Sequence, residues 1–265
     1  MRNIVNLLSG LILALVVNQQ PASSQESINT ALGIFTGREA SGLFDHHSVA
    51  VHDLTYGIIR AAGPHLAWNI ARVAEAPEIN TIFASDLHNI GTLDPATGKF
   101  REIPYDPSLP KISSLGGIAW DSKRQRLVVA SASHENNRLY AYTPATERWT
   151  KLSKLKYPLH GWVYLPDQDR LAAIVPNGIY GAYGLLVKFN SKGKPIKRIR
   201  LDRPIPTAYP GSLNLQVMLT DQGQLLIAEK QTVMNYPYSI FHLIDSNNGE
   251  VLPLAFLNYV PRQDD

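Results

Sequence analysis

Residues 116–152 constrain what this chain can fold into more than any other stretch. They read Gly116-Gly-Ile-Ala-Trp-Asp121, Arg126-Leu-Val-Val-Ala-Ser131, Arg138-Leu-Tyr-Ala-Tyr142, the turn Thr143-Pro-Ala-Thr-Glu147, and Arg148-Trp-Thr-Lys-Leu152. These are four short β-patterned runs separated by turn chemistry, so the stretch predicts four consecutive strands.

The unit recurs. Its last turn reappears as Asp94-Pro-Ala-Thr-Gly98, Asn190-Ser-Lys-Gly193 and Asp245-Ser-Asn-Asn-Gly249, with a fainter copy in Asp53-Leu-Thr-Tyr-Gly57. An Asp or Asn at the start bonds its own backbone, and a glycine near the end supplies positive φ. The second run recurs as Thr81-Ile-Phe-Ala-Ser85, Leu171-Ala-Ala-Ile-Val175 and Leu225-Leu-Ile-Ala-Glu229, with Leu32-Gly-Ile-Phe-Thr36 as a fifth copy. These runs are apolar on both faces, as a strand packed between neighbouring sheets must be. The spacing is about 40 to 55 residues, the period of propeller blades.

The pattern resembles the β-propeller superfamily across nearly the whole chain. The resemblance implies an all-β fold, a five-bladed β-propeller with N/C-terminal strand closure. The innermost strands are expected at residues 70–75, 116–121, 161–165 and 215–220. The first unit lacks one, and the C-terminus carries a spare. Asn258-Tyr-Val-Pro-Arg-Gln-Asp264 echoes Val163-Tyr-Leu-Pro-Asp-Gln-Asp169. Residues 257–260 are therefore expected to form the innermost strand of the blade built from residues 31–62, which would tie the two ends together and remove an open edge.

The first residues differ from the rest. Arg2, the apolar run Ile4 to Val17 and Ala22-Ser-Ser24 predict a signal peptide over 1–24, leaving 25–265 as a single propeller domain. The expected location is secreted or periplasmic, with no stable membrane insertion after cleavage. Cysteine is absent, which excludes disulfides, thiolate metal sites and a cysteine nucleophile. The net charge is +3. Its one basic cluster, Lys192, Lys194, Lys197, Arg198, Arg200 and Arg203, reads as a solvated outer strand, with no aromatic interleaving to suggest nucleic acid.

In a propeller, the loops joining the second strand to the third share a face with those joining one blade to the next, and function concentrates there. Six of the eight histidines fall in this expected ring of loops: His46, His47, His65, His88, His134 and His160. The candidate metal ligands are Asp86 and Glu229. The candidate ligand-binding residues are Arg38, His65, His134, Glu135, His160 and Lys230. No cofactor motif is present, and the cofactor these carboxylates and imidazoles suit is a divalent metal. Tyr180, Tyr183, Tyr236 and Tyr238 add aromatic area suited to sugars or protein partners, or to packing between the loops themselves.

The expected function is a binding protein that recognises a protein, glycan or small ligand on this face. The alternative is a metal-dependent hydrolase or lactonase. Gly117-Ile-Ala-Trp-Asp followed by Arg126-Leu-Val-Val-Ala resembles regucalcin/gluconolactonase-type propellers, although their six blades and N-terminal Glu-Gly-Pro motif are missing. Glu75 and Asp121 fall at the far end of the inner strands, which argues against paired-carboxylate sugar chemistry.

Overall fold

A computed structural model describes residues 29–38, 45–61, 66, 70, 72–86, 88–106, 115–131, 137–156, 159, 161–176, 183–205, 215–233, 236–253 and 258–260. The predicted signal peptide lies outside them. The structure is five four-stranded sheets. The second blade is β4 (Arg72–Ala76), β5 (Thr81–Ser85), β6 (Ile90–Leu93) and β7 (Phe100–Glu102). The third is β8 (Leu115–Asp121), β9 (Arg126–Ser131), β10 (Arg138–Thr143) and β11 (Arg148–Lys154), the expected repeat unit. The fourth is β12 (Trp162–Leu165), β13 (Arg170–Pro176), β14 (Tyr183–Phe189) and β15 (Pro195–Ile205). The fifth is β16 (Leu215–Leu219), β17 (Leu225–Val233), β18 (Tyr236–Ile244) and β19 (Val251–Pro253).

The first blade combines β1 (Thr30–Arg38), β2 (Asp45–Asp53) and β3 (Ile58–Ala61) with the C-terminal β20 (Asn258–Val260). The two ends of the chain therefore meet in one sheet, as expected, but not in the expected place. Strand β20 is outermost and runs parallel to β3, Tyr259 opposite Ile59. The innermost position belongs to β1, which packs against both β4 and β16 and so closes the ring β1-β4-β8-β12-β16. Moreover, β1 runs opposite to the other inner strands. Thr30, at its start, accepts the Asp221 N–H at 2.9 Å just beyond the end of β16. Farther along, the Ile34 N–H reaches Gln216 Oε1 near the start of β16. The reversed direction is that of a second strand, the role its sequence suggests.

Each seam between blades holds its own apolar cluster, so the core is five slabs rather than one centre. Phe83 and Trp120 stack across the seam of the second and third blades, ring centroids 5.5 Å apart. Trp162 fills the seam of the third and fourth with Val128, Leu171 and Phe189. Leu165, Ile174, Leu225 and Ile244 fill the next. Ala50, Ile59, Leu226 and Phe241 join the fifth blade to the first, and Ile34, Val49, Leu66 and Ala84 join the first to the second.

The seam that closes the ring holds a buried imidazole. His52 is 1 % exposed, its Nδ1 has no partner among the described residues, and Phe241 lies against its ring. Gly33 makes room for it: a Cβ there would come within 2.9 Å of both His52 and Gln216 and within 2.3 Å of the Met218 sulfur. Burial lowers the His52 pKa from 6.5 to about 4. The unfolded chain takes up this proton near pH 6.5 while the folded protein resists until about pH 4, so stability is full above the first value and falls between them. We expect a loss of about 3 kcal/mol over that window. Denaturant titrations at pH 7 and pH 4.5 measure it, and His52→Leu should flatten the profile between pH 6.5 and 4.

Candidate functional site

The two faces of the ring are built differently. On one face the connections are tight turns, at 54–57, 77–80, 94–99, 122–125, 144–147, 166–169, 190–194, 220–224 and 245–250. Pro77, Pro144 and Pro166 preset the first turn residue, and Asn80, Glu147 and Asp169 end these turns at φ 49°, 52° and 48°. Neighbouring blades are linked across this face. Trp120 Nε1 donates to Glu78, Arg124 and Lys123 to Asp169, Gln168 to Ser246 and Asn247, and Asn29 Nδ2 to Gln224. Glu75 and Asp121 lie at this end, as expected. Glu75 is exposed, yet partial desolvation raises its pKa, with Asp221 and Glu78 adding like charge.

The opposite face carries the longer connections, among them 62–71, 103–114, 155–161 and 206–214. His65, His134, Glu135 and His160, proposed from the sequence, lie outside the described residues, as does Tyr180. For Arg38, His46, His47, Glu229 and Lys230 the backbone is described. All five lie at the end of the sheet that faces this side; Glu229 is on a strand, as expected, and Arg38, His46, His47 and Lys230 are on strands rather than in loops. The connection expected to hold His46 and His47 narrows to 39–44, because β1 extends to Arg38 and pairs it with Asp45. Likewise β17 and β18 continue past Lys230, paired with Ser239, to Val233 opposite Tyr236. Alternating and β-branched residues on both arms of each hairpin keep the ladder going.

Asp86 follows β5, and Glu229 stands opposite Leu215, the first residue of β16, so both occupy the loop-face end of their blades. The Asp86 carboxylate is engaged locally. Oδ1 accepts the backbone N–H of His88 at 2.7 Å and of Asn89 at 2.6 Å, and Oδ2 accepts Asn89 Nδ2 at 3.0 Å. Against the opposing effect of burial, these bonds hold its pKa below the usual carboxylate value. Asp86 thus organises the 86–89 turn and presents His88 exposed. Among the described residues no three histidines or acids gather as a metal site.

The sequence reading missed a set of buried polar atoms at the loop-face end of the ring. Ser85 Oγ, Ser131 Oγ, Trp162 Nε1 and Gln216 Nε2 have no hydrogen-bond partner among the described residues. They come from four blades and one level. Ser85 and Ser131 are the last residues of β5 and β9, Trp162 is the first of β12, and Gln216 is the second of β16. Arg72, opposite Ser85, is 7 % exposed and adds a buried cation at the same level. The available signal was the shared ending Ala84-Ser85 and Ala130-Ser131 on otherwise apolar strands.

No family model and no curated protein matches the chain, so the likeness to regucalcin/gluconolactonase-type propellers rests on its blade sequence alone. Among solved structures, the chain is similar to one in the crystal structure of the Nidogen/Laminin complex, at a TM-score of 0.54 and 14 % identity over 88 % of this chain and 82 % of that one. It also matches TolB from Acinetobacter baumannii (TM-score 0.48, 14 % identity, 94 % of this chain and 58 % of that one). A third match is hydrazine synthase from Kuenenia stuttgartiensis (TM-score 0.45, 14 % identity, 69 % of this chain). The chain spans about half of that synthase chain, 48 %. At these identities the first likeness supports the fold, a β-propeller, and nothing finer. Among the described residues no helix is long and apolar enough to cross a membrane.

Proposed function

We propose that this protein is an exported binding propeller whose loop face recognises a polar group of a protein, glycan or small ligand at the mouth of the ring. The observation that carries this reading is the set of unpaired buried atoms on Ser85, Ser131, Trp162 and Gln216. Leaving a buried donor or acceptor without a partner costs about 1–3 kcal/mol. Four at one level of the ring make sense where a bound polar group completes their bonds. Arg38, His65, His134, Glu135, His160 and Lys230 belong, in this reading, to the rim around that mouth. The metal-dependent lactonase reading has less support, since the turn at 86–89 already uses both Asp86 oxygens.

The reading separates binding from stability. The double substitution Ser85→Ala with Ser131→Ala removes two unpaired hydroxyls, so the free protein should keep its unfolding free energy or gain about 1 kcal/mol. A loss of about 2 kcal/mol or more in a denaturant titration would show that the hydroxyls serve the fold. Export is tested by N-terminal sequencing of the protein recovered outside the cytoplasm. A start at Gln25 is expected, and a start at Met1 would contradict it.

A further inference from the structure

The seam between the fourth and fifth blades carries an unbalanced group of cations toward the turn face. Lys188, on β14, is 5 % exposed. Lysine is almost never so buried without a counter-charge. Here the ammonium donates to the neutral amide oxygen of Gln168, and it makes no ion pair among the described residues. The strand register sets two more cations beside it. Lys188 stands opposite Ala172 on β13 and Lys197 on β15, and like charges directly opposite one another destabilise a sheet. Arg170 precedes Ala172 by two positions and so projects from the same face of the blade. That face looks into the seam, because Ala172 and Leu186 belong to its apolar cluster and Ile199 packs against it. Burial lowers the Lys188 pKa and Lys197 and Arg170 lower it further, while Asp245 pulls the other way. Asp245 Oδ1 already accepts the Asn247 N–H at 2.7 Å within its own turn. Three cations against one carboxylate leave an excess of two positive charges.

We propose that this row of Arg170, Lys188 and Lys197 holds a doubly charged tetrahedral oxyanion, inorganic phosphate, as a clasp at the seam of the fourth and fifth blades. The dianion matches the excess charge. Its oxygens point in several directions, so it can take charge-assisted hydrogen bonds from donors on three adjacent strands, which the two oxygens of a carboxylate do less well. The site reaches solvent through Lys197, which is exposed. It is tied to the neighbouring blade through Gln168. The amide that accepts the Lys188 ammonium donates from Nε2 to Ser246 Oγ at 3.1 Å and to Asn247 Oδ1 at 3.2 Å. The clasp thus belongs to the structural side of the ring and leaves the loop face free for recognition. Cations on an outer strand also protect an open sheet edge against pairing. That role accounts for Lys197 on β15 but not for Lys188, which lies buried on the strand inside it.

The test is calorimetric titration of the full chain with inorganic phosphate, with nitrate as the singly charged control and the ionic strength held constant with sodium chloride. Saturable binding of phosphate is expected, with nitrate at least tenfold weaker. Lys197→Gln changes an exposed side chain, so its thermal unfolding should match the parent while phosphate binding weakens at least threefold. Lys188→Met removes the buried ammonium and keeps most of its volume. It should abolish binding, yet leave the phosphate-free protein as stable as the parent or more so. Phosphate should also raise the unfolding midpoint of the parent more than that of Lys188→Met, because only the folded row binds it. No saturable phosphate binding, nitrate bound as tightly as phosphate, binding unchanged in Lys197→Gln, or a phosphate-free Lys188→Met less stable than the parent would each overturn the proposal. A second arm separates the free ion from a phosphorylated molecule. Glycerol 3-phosphate bound at least tenfold more tightly than phosphate would make this a site for a phosphomonoester rather than a clasp, and would also overturn it.

Discussion

Replacing Trp162 with alanine should lower the unfolding free energy by about 3–5 kcal/mol, among the largest effects of any single substitution in this protein. Trp162 is 1 % exposed and fills the seam between the third and fourth blades. The facing blade is shaped around it, since Gly117 has no side chain and a Cβ there would lie 3.0 Å from the indole Cδ1. The backbone on both sides is held in sheet ladders, so the hole left by alanine cannot collapse. The measurement is a denaturant titration, with the midpoint falling and the slope unchanged. Trp162→Phe should recover much of the loss. A loss under 1 kcal/mol for Trp162→Ala would mean that the seams do not carry the stability assigned to them.

Asp121→Ala should cost a similar amount, about 3–5 kcal/mol, for a different reason. The Asp121 carboxylate is fully buried and accepts the Arg124 N–H at 3.2 Å, the Arg124 guanidinium at 3.2 and 3.3 Å, and Arg126 Nε at 2.9 Å. Arg126 continues to the Ser191 carbonyl of the next blade, and Arg124 to Asp169. Alanine leaves the largely buried Arg126 without its counter-charge. Asp121→Asn keeps the shape and some of the bonds and should cost less. Hydrogen bonds from Arg124 and Lys123 hold the Asp169 carboxyl well below the usual carboxylate range. The stability Asp169 adds is therefore present above that range and lost as pH falls below it. This acid loss comes at lower pH than the one assigned to His52, so the two are distinguishable in one pH series.

The blade pattern was legible in the sequence because each strand is short and bounded by strong turn chemistry, as in Asp94-Pro-Ala-Thr-Gly98 and Thr143-Pro-Ala-Thr-Glu147. Closure was legible only in part. That β20 joins the first blade follows from its similarity to a strand, but the position of a strand within a sheet depends on its partner rather than on its own pattern. Leu32-Gly-Ile-Phe-Thr36 is apolar on both faces, which suits an innermost strand and a second strand equally, since both lie between neighbouring blades. The echo of residues 163–169 in 258–264 therefore carried no information about place. The candidate site was harder still. Acids and histidines in loops drew attention, yet Asp86 proved to be a turn-former, while the buried unpaired atoms are on serine, tryptophan and glutamine, residues that announce no chemistry in a sequence. Gly33 and Gly117 were equally silent, because what a glycine accommodates comes from a different blade.

The division of labour between the two faces is the central claim, and site-specific photo-crosslinking in cells tests it most directly. A photoreactive residue at His88 probes the loop face, and the same residue at the exposed Ala96, in the 94–99 turn of the same blade, probes the turn face. The account predicts a discrete adduct from position 88 and none from position 96, with the adduct at 88 lost when unlabelled protein competes for the partner. Discrete adducts from position 96 and none from position 88 would contradict it, and would move the recognition surface to the face assigned here to structure alone.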